Sequence, residues 1–118
     1  EKGEYRGGII APGLQVAATA LVERTAKLPR VEVVRPPQVI GRNTVQCLQA
    51  GIYYGYAALV DGLVERVQKE LGRKLRVIAT GGLADLNAPE TKSIEMVDQN
   101  LTLRGLRLIY SLNRPNKA

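Results

Sequence analysis

The chain has 118 residues, 45% apolar and 24% charged, enough for one core and too little for two, and its composition is neither disordered nor fibrous. Seventeen Lys and Arg against eleven Asp and Glu give +6, scattered and without Trp or Phe, so a solvated basic face or attraction of a phosphorylated small molecule is preferred to a nucleic-acid surface. The lack of histidine excludes His-based zinc sites and Ser-His-Asp or Cys-His nucleophiles.

Cys47 is the single cysteine, so no internal disulfide forms and a reducing compartment is expected. No apolar run reaches the roughly 20 residues that span a bilayer, and Glu1-Lys2-Gly3-Glu4 lacks a signal-peptide layout, so no membrane association is expected.

Tyr5 to Ile10 reads as a short extended stretch entering the turn Ala11-Pro12-Gly13. Leu14, Ala17, Ala18, Leu21, Thr25 and Leu28 then lie on one face of an amphipathic helix that Pro29 stops. Val31, Val33 and Val34 suggest a short strand or extended segment ending at Pro36-Pro37. Asn43 or Thr44 caps a long helix that runs to Leu71 and closes at Gly72.

On that helix Gly51, Gly55, Ala58 and Gly62 share one stripe, with Tyr53, Val60, Val64, Val67 and Leu71 opposite. A helix glycine costs on the order of 1 kcal/mol against alanine, so the stripe predicts close approach by another helix, within the molecule or across a dimer interface. Leu75 to Ala79 reads as a buried strand with Thr80-Gly81-Gly82 at its carboxyl end, followed by a helical turn over Leu83 to Leu86. Ile94 to Asp98 is a second short strand. Asn100 or Thr102 then caps a last helix with Leu103, Leu106, Ile109 and Tyr110 on one side, and residues 114–118 are expected to fray. Strands alternating with helices predict an α/β fold with part of the sheet parallel.

Three glycine loops are the candidates for chemistry. Gly7 to Gly13 lets backbone approach a ligand, or is an ordinary junction into the helix. Gly41-Arg42-Asn43-Thr44 presents a hydroxyl and backbone N–H groups at a helix start, for a polar ligand end or for capping alone. Thr80-Gly81-Gly82 follows a strand, where nucleotides sit in open α/β sheets. Asp61, Asp85, Asp98, Glu23 and Glu65 are the acid–base candidates, but none is paired at a telling spacing and all read as surface charges. Without histidine to activate it, Cys47 reads as packed rather than nucleophilic. The patterns GxxxxGK[ST] and GxGxxG are both missing.

Taken in order, the loops resemble the C-terminal half of the type III pantothenate kinase family, within the acetate/sugar kinase–Hsp70–actin superfamily. The carrying residues are Gly7-Gly8-Ile9-Ile10-Ala11-Pro12-Gly13-Leu14, Arg24 to Pro29, Gly41-Arg42-Asn43-Thr44, Val77 to Gly82, and Asp98 to Leu106. The resemblance implies a ribonuclease H-like, actin-like ATPase lobe over residues 1–113, with a mixed sheet and flanking helices, and with the N-terminal lobe absent from this chain. It implies phosphorylation of pantothenate by ATP, the first step towards coenzyme A, with Mg²⁺ and a monovalent cation (K⁺ or NH₄⁺), in a cytoplasmic homodimer.

Thr44 matches the family's pantothenate-contacting threonine, Gly7, Gly8, Pro12 and Gly13 the substrate-side loop, and Gly81 and Gly82 the adenosine-side loop. The family's catalytic aspartate and both its phosphate loops have no counterpart here, so no catalytic or metal-binding residue is assigned. The alternative is a non-catalytic regulatory protein of the same fold, like an accessory factor in transcription.

Overall fold

The computed structural model describes residues 3–114, so most of the expected frayed tail, 115–118, lies outside the described residues. Its centre is the long helix α2, Thr44–Leu71, bounded as the sequence predicts. Asn43 is the N-cap: its Oδ1 accepts the Gln46 amide at 2.9 Å. Gln46 Oε1 accepts the Arg42 amide at 3.0 Å in return, a reciprocal cap shifted by one residue from the usual box. At the other end Gly72 is left-handed, and the Arg73 amide donates back to the Gln68 carbonyl at 3.2 Å.

Helix α1, Leu14–Glu23, crosses α2 and supplies Leu14 and Ala18 to a small core shared with Ile52, on which Val31, Val33 and Tyr56 pack. It is shorter than its apolar spacing predicts. The Thr25 hydroxyl, four residues before Pro29, donates to the Leu21 carbonyl, offering the chain an alternative to a further helical turn.

The sheet is smaller than expected. Strands β1, Ile78–Ala79, and β2, Met96–Val97, run parallel with Ile78 opposite Met96 and Ala79 opposite Val97. Backbone bonds from Glu95 to Val77 and from Asp98 to Ala79 extend the pairing at each end. Between them lie helix α3, Ala84–Asn87, and a 3₁₀ turn, Ala88–Glu90, both against α2.

The class is α/β, but among the described residues the sheet is two-stranded and parallel, not mixed, and neither residues 5–10 nor 31–34 form a strand. A strand is defined by a ladder partner, and these segments have none; Val31 and Val33 spend their apolar side chains on the core instead.

Helix α4, Leu101–Leu112, follows β2. Asn100 holds the N-cap position but its side chain makes no cap bond. Asp98 does that work two residues earlier, accepting the Asn100 amide at 3.0 Å and pairing with Arg104 at 3.0 Å.

Candidate functional site

The turn after β1 and the turn before α1 meet on one side of α2. Gly13 and Thr80-Gly81-Gly82 line the same cleft of about 470 Å³, walled by Leu14, Tyr56, Val60, Leu83 and Ile94. That volume and apolar lining are those of a small-molecule site. Gly81 turns the chain out of β1 with φ of +102°, a conformation open to glycine and strained for any other residue, and its carbonyl accepts the Ala84 amide at 3.1 Å.

Two hydrogen bonds clasp α3, the helix that follows this turn, to α2. Tyr53, 2% exposed, donates its hydroxyl to the Leu86 carbonyl at 3.0 Å, and Asn87 Nδ2 donates to the Tyr53 carbonyl at 3.2 Å. Burial pushes the Tyr53 hydroxyl pKa above its ordinary value; Glu90 adds to the rise and Arg35, which pairs with Glu90 at 3.3 Å, opposes it.

A third anchor lies next to the cleft, at the residue after Val60. Asp61 accepts the Lys92 amide at 2.9 Å, the Ser93 amide at 2.9 Å and the Ser93 hydroxyl at 2.7 Å. Partial burial works to raise its pKa, but these donors and the Lys92 charge outweigh that and hold the carboxyl below its usual range. Asp61 and Asp98 are therefore structural anchors rather than free surface charges, and Asp85 accepts Gln99 Nε2 at 2.6 Å.

The second glycine loop is built tightly but lies elsewhere. A Cβ on Gly41 would meet the Cys47 amide nitrogen, with Gln46 C at 2.6 Å and Cys47 Cα at 2.7 Å, so only glycine lets this strand of backbone lie on the first turn of α2. Thr44 is exposed and is the first residue of α2; its hydroxyl makes no hydrogen bond among the described residues, and it is not the cap. Twelve residues separate it from Tyr56, the nearer cleft-wall residue on α2, about 18 Å along the helix. Cys47 is exposed, with its Sγ 3.4 Å from the Gly41 carbonyl, rather than packed.

The first loop divides. Gly13 reaches the cleft, Pro12 lines a separate apolar groove between α1 and α2, and Gly7 and Gly8 lie outside both, with Tyr5 Oη at 3.0 Å from where a Gly8 Cβ would stand. That groove, about 570 Å³, is also where Gly51 and Gly55 sit, and nothing lies within 4 Å of a Cβ on either. Close approach of a second helix within the described residues, one of the two explanations for the stripe, is thus not what the fold contains. The signals missed in the sequence were single polar residues, Tyr53, Asn87 and Asp61, whose partners are 31 to 34 residues away.

The family model for type III pantothenate kinases matches residues 1–66. Proteins named type III pantothenate kinase from Moorella thermoacetica and Geobacter sulfurreducens are each 58% identical over 113 residues, covering 96% of this chain and 44% of theirs. One from Brevibacillus brevis is 54% identical over 114 residues, 97% of this chain and 45% of its own. The chain thus spans less than half the length of these curated relatives.

Proposed function

The chain belongs to the type III pantothenate kinase family, and from that premise we propose that it forms the C-terminal, substrate- and nucleotide-binding lobe of a kinase that phosphorylates pantothenate. The observation that carries this reading is the cleft that joins Gly13 to Thr80-Gly81-Gly82, a pocket of ligand size at the carboxyl end of a parallel strand. ATP enters there with its adenosine against Gly81 and Gly82. Pantothenate is held at Thr44, whose hydroxyl has no partner among the described residues, and along the Gly7 to Gly13 loop.

In the intact protein the primary hydroxyl of pantothenate attacks the γ-phosphorus, its proton passes to an aspartate outside this chain, and ADP leaves. Among the described residues no three His, Cys, Asp or Glu side chains gather to hold a cation, so Mg²⁺ and the monovalent cation (K⁺ or NH₄⁺) are assigned to the nucleotide phosphates and to groups outside this chain. No described helix is long and apolar enough to cross a membrane. A cytoplasmic location belongs to the same proposal, carried over from the family resemblance.

The open groove at Gly51 and Gly55 supports a homodimer with α2 at its seam. Gly55→Leu then lowers the oligomeric mass of the intact protein; an unchanged mass and melting temperature count against the seam.

Pantothenate-dependent ADP release by the intact protein tests the whole reading. Gly81→Val, which strains a left-handed position, is expected to raise the KM for ATP, and the 118-residue chain alone is expected to show no turnover. Nucleotide binding without turnover in the intact protein would return the accessory-factor alternative.

A further inference from the structure

Helix α4 carries more apolar surface than the described fold covers. Leu103, Leu106, Ile109 and Tyr110 form one stripe, 57–65% exposed, and Leu101, Leu108 and Leu112 a second, 40–83% exposed. At 3.6 residues per turn the two stripes together span roughly 220° of the circumference, against roughly 60° for Arg104, Arg107 and Ser111. Gly105 lies between the stripes, and nothing stands within 4 Å of where its Cβ would be. Among the described residues no helix or strand packs broadly on α4, and its ion pair, Arg104 to Asp98, lies near its start.

That breadth decides how many sides need a neighbour. A helix resting on its own core shows an apolar stripe of about 100°, whereas one apolar nearly all round is enclosed. A helix of 12 residues is marginal alone in water, so α4 needs packing from elsewhere.

A two-fold contact of α4 on α4 would cover one side only. It would also set Arg104, Arg107 and Arg114, with no acidic residue among them, against their own copies. A membrane surface suits a helix that keeps a broad charged face in water; here the polar sector is narrow and Arg104 is already paired. The protein's own remaining length is a better fit. More than half of each curated relative lies outside the matched part, at least as much protein again as this chain.

We propose that α4 docks into the N-terminal lobe missing from this chain and is enclosed there on two sides. Strand β2 then leads from the body that carries the cleft into a helix held by the other lobe. The inference rests on the reading of this chain as one lobe of a longer protein, and on no ligand assigned to the cleft.

The test is photo-cross-linking of the intact protein with p-benzoylphenylalanine in place of Tyr110, an aromatic for an aromatic. The link is expected within one chain, on a peptide that precedes residue 1 of the present sequence. A link between two chains, a link confined to residues 1–118, or no link overturns the proposal. Flotation of wild type with phosphatidylcholine–phosphatidylserine vesicles, abolished by Leu106→Glu, also overturns it by giving α4 to a membrane.

Hydrogen exchange on the wild-type intact protein decides even if the cross-linking variant fails to fold. Amides 105–112 should exchange at least about 100-fold slower than an unstructured chain, and rates within about 10-fold of it overturn the proposal. Protection lost on about 100-fold dilution overturns it too, in favour of a second copy. Leu106→Glu and Leu108→Glu, one in each stripe, should each lower the melting temperature by about 5 °C or more. A shift from only one of them overturns the two-sided enclosure. Pantothenate-dependent ADP release keeps the two readings apart. Release without the intrachain link overturns the docking of α4 alone, and the link without release overturns the kinase reading alone.

Discussion

The middle of the chain and its two ends are comparably apolar in sequence and opposite in environment. On α2, Leu48, Ile52, Tyr53 and Ala57 are all buried, because α1 lies on one side and α3 with the 3₁₀ turn on another. At the ends, Ile10 is fully exposed and the apolar face of α4, Leu103, Leu106, Ile109 and Tyr110, stays 57–65% exposed. The radius of gyration, 18.3 Å, exceeds the roughly 13–14 Å of a compact domain of this length and reports the same division. Apolar spacing specifies which face of an element is to be covered, and only a neighbour decides whether it is. The cleft borders the covered part, where α3, just after the Gly81 turn, is clasped to α2, while Thr44 and most of the Gly7 to Gly13 loop are exposed.

Substitutions in the two regions should therefore differ sharply. Tyr53→Ala removes a fully packed ring and one of the two clasp bonds, and is expected to cost about 3–5 kcal/mol in urea unfolding. Gly41→Ala drives a Cβ into the first turn of α2, where the obstructing atoms are backbone and cannot swing aside; about 1–3 kcal/mol is expected, read as a fall in melting temperature.

Asp61→Asn weakens the hold on Lys92 and Ser93, for about 1–2 kcal/mol after allowance for partial exposure. Since the folded-state pKa of Asp61 lies below its unfolded value, its contribution is present above the ordinary carboxylate range and is lost as pH falls through that range towards the lower folded pKa. The stability gap between wild type and Asp61→Asn should narrow on acidification, and a gap constant with pH would contradict the anchor. Smallest is Leu106→Ala on α4, expected within about 0.5 kcal/mol in the 118-residue chain. A larger loss in the intact protein would measure how much of α4 is covered there.

The same division explains what was legible in the sequence. Helix α2 could be bounded to the residue because its signals are local: Asn43 caps it and Gly72 ends it. The Gly81-Gly82 turn was legible for a similar reason, a glycine pair following an apolar run. The segments 5–10 and 31–34 look like strands by composition, yet pairing depends on a neighbour that no local pattern encodes. Asn87 and Asp61 were invisible as anchors because a lone polar residue has no periodicity. Their roles come from partners brought near by the crossing of α2 with the loop after β1. Thr44 is a mixed case: its place at the start of α2 was readable, whereas the capping belongs to Asn43.

The central claim is that one chain carries two separate ligand ends, the cleft at Gly81 and Gly82 for nucleotide and the start of α2 for pantothenate. Steady-state kinetics of Thr44→Val in the intact protein tests it most directly, since the variant keeps the shape and removes only an exposed hydroxyl that caps nothing. The account predicts a pantothenate KM raised about 2- to 12-fold, as for loss of one neutral hydrogen bond, with the ATP KM and the melting temperature unchanged. An unchanged pantothenate KM, or an equal rise in both constants, would contradict it.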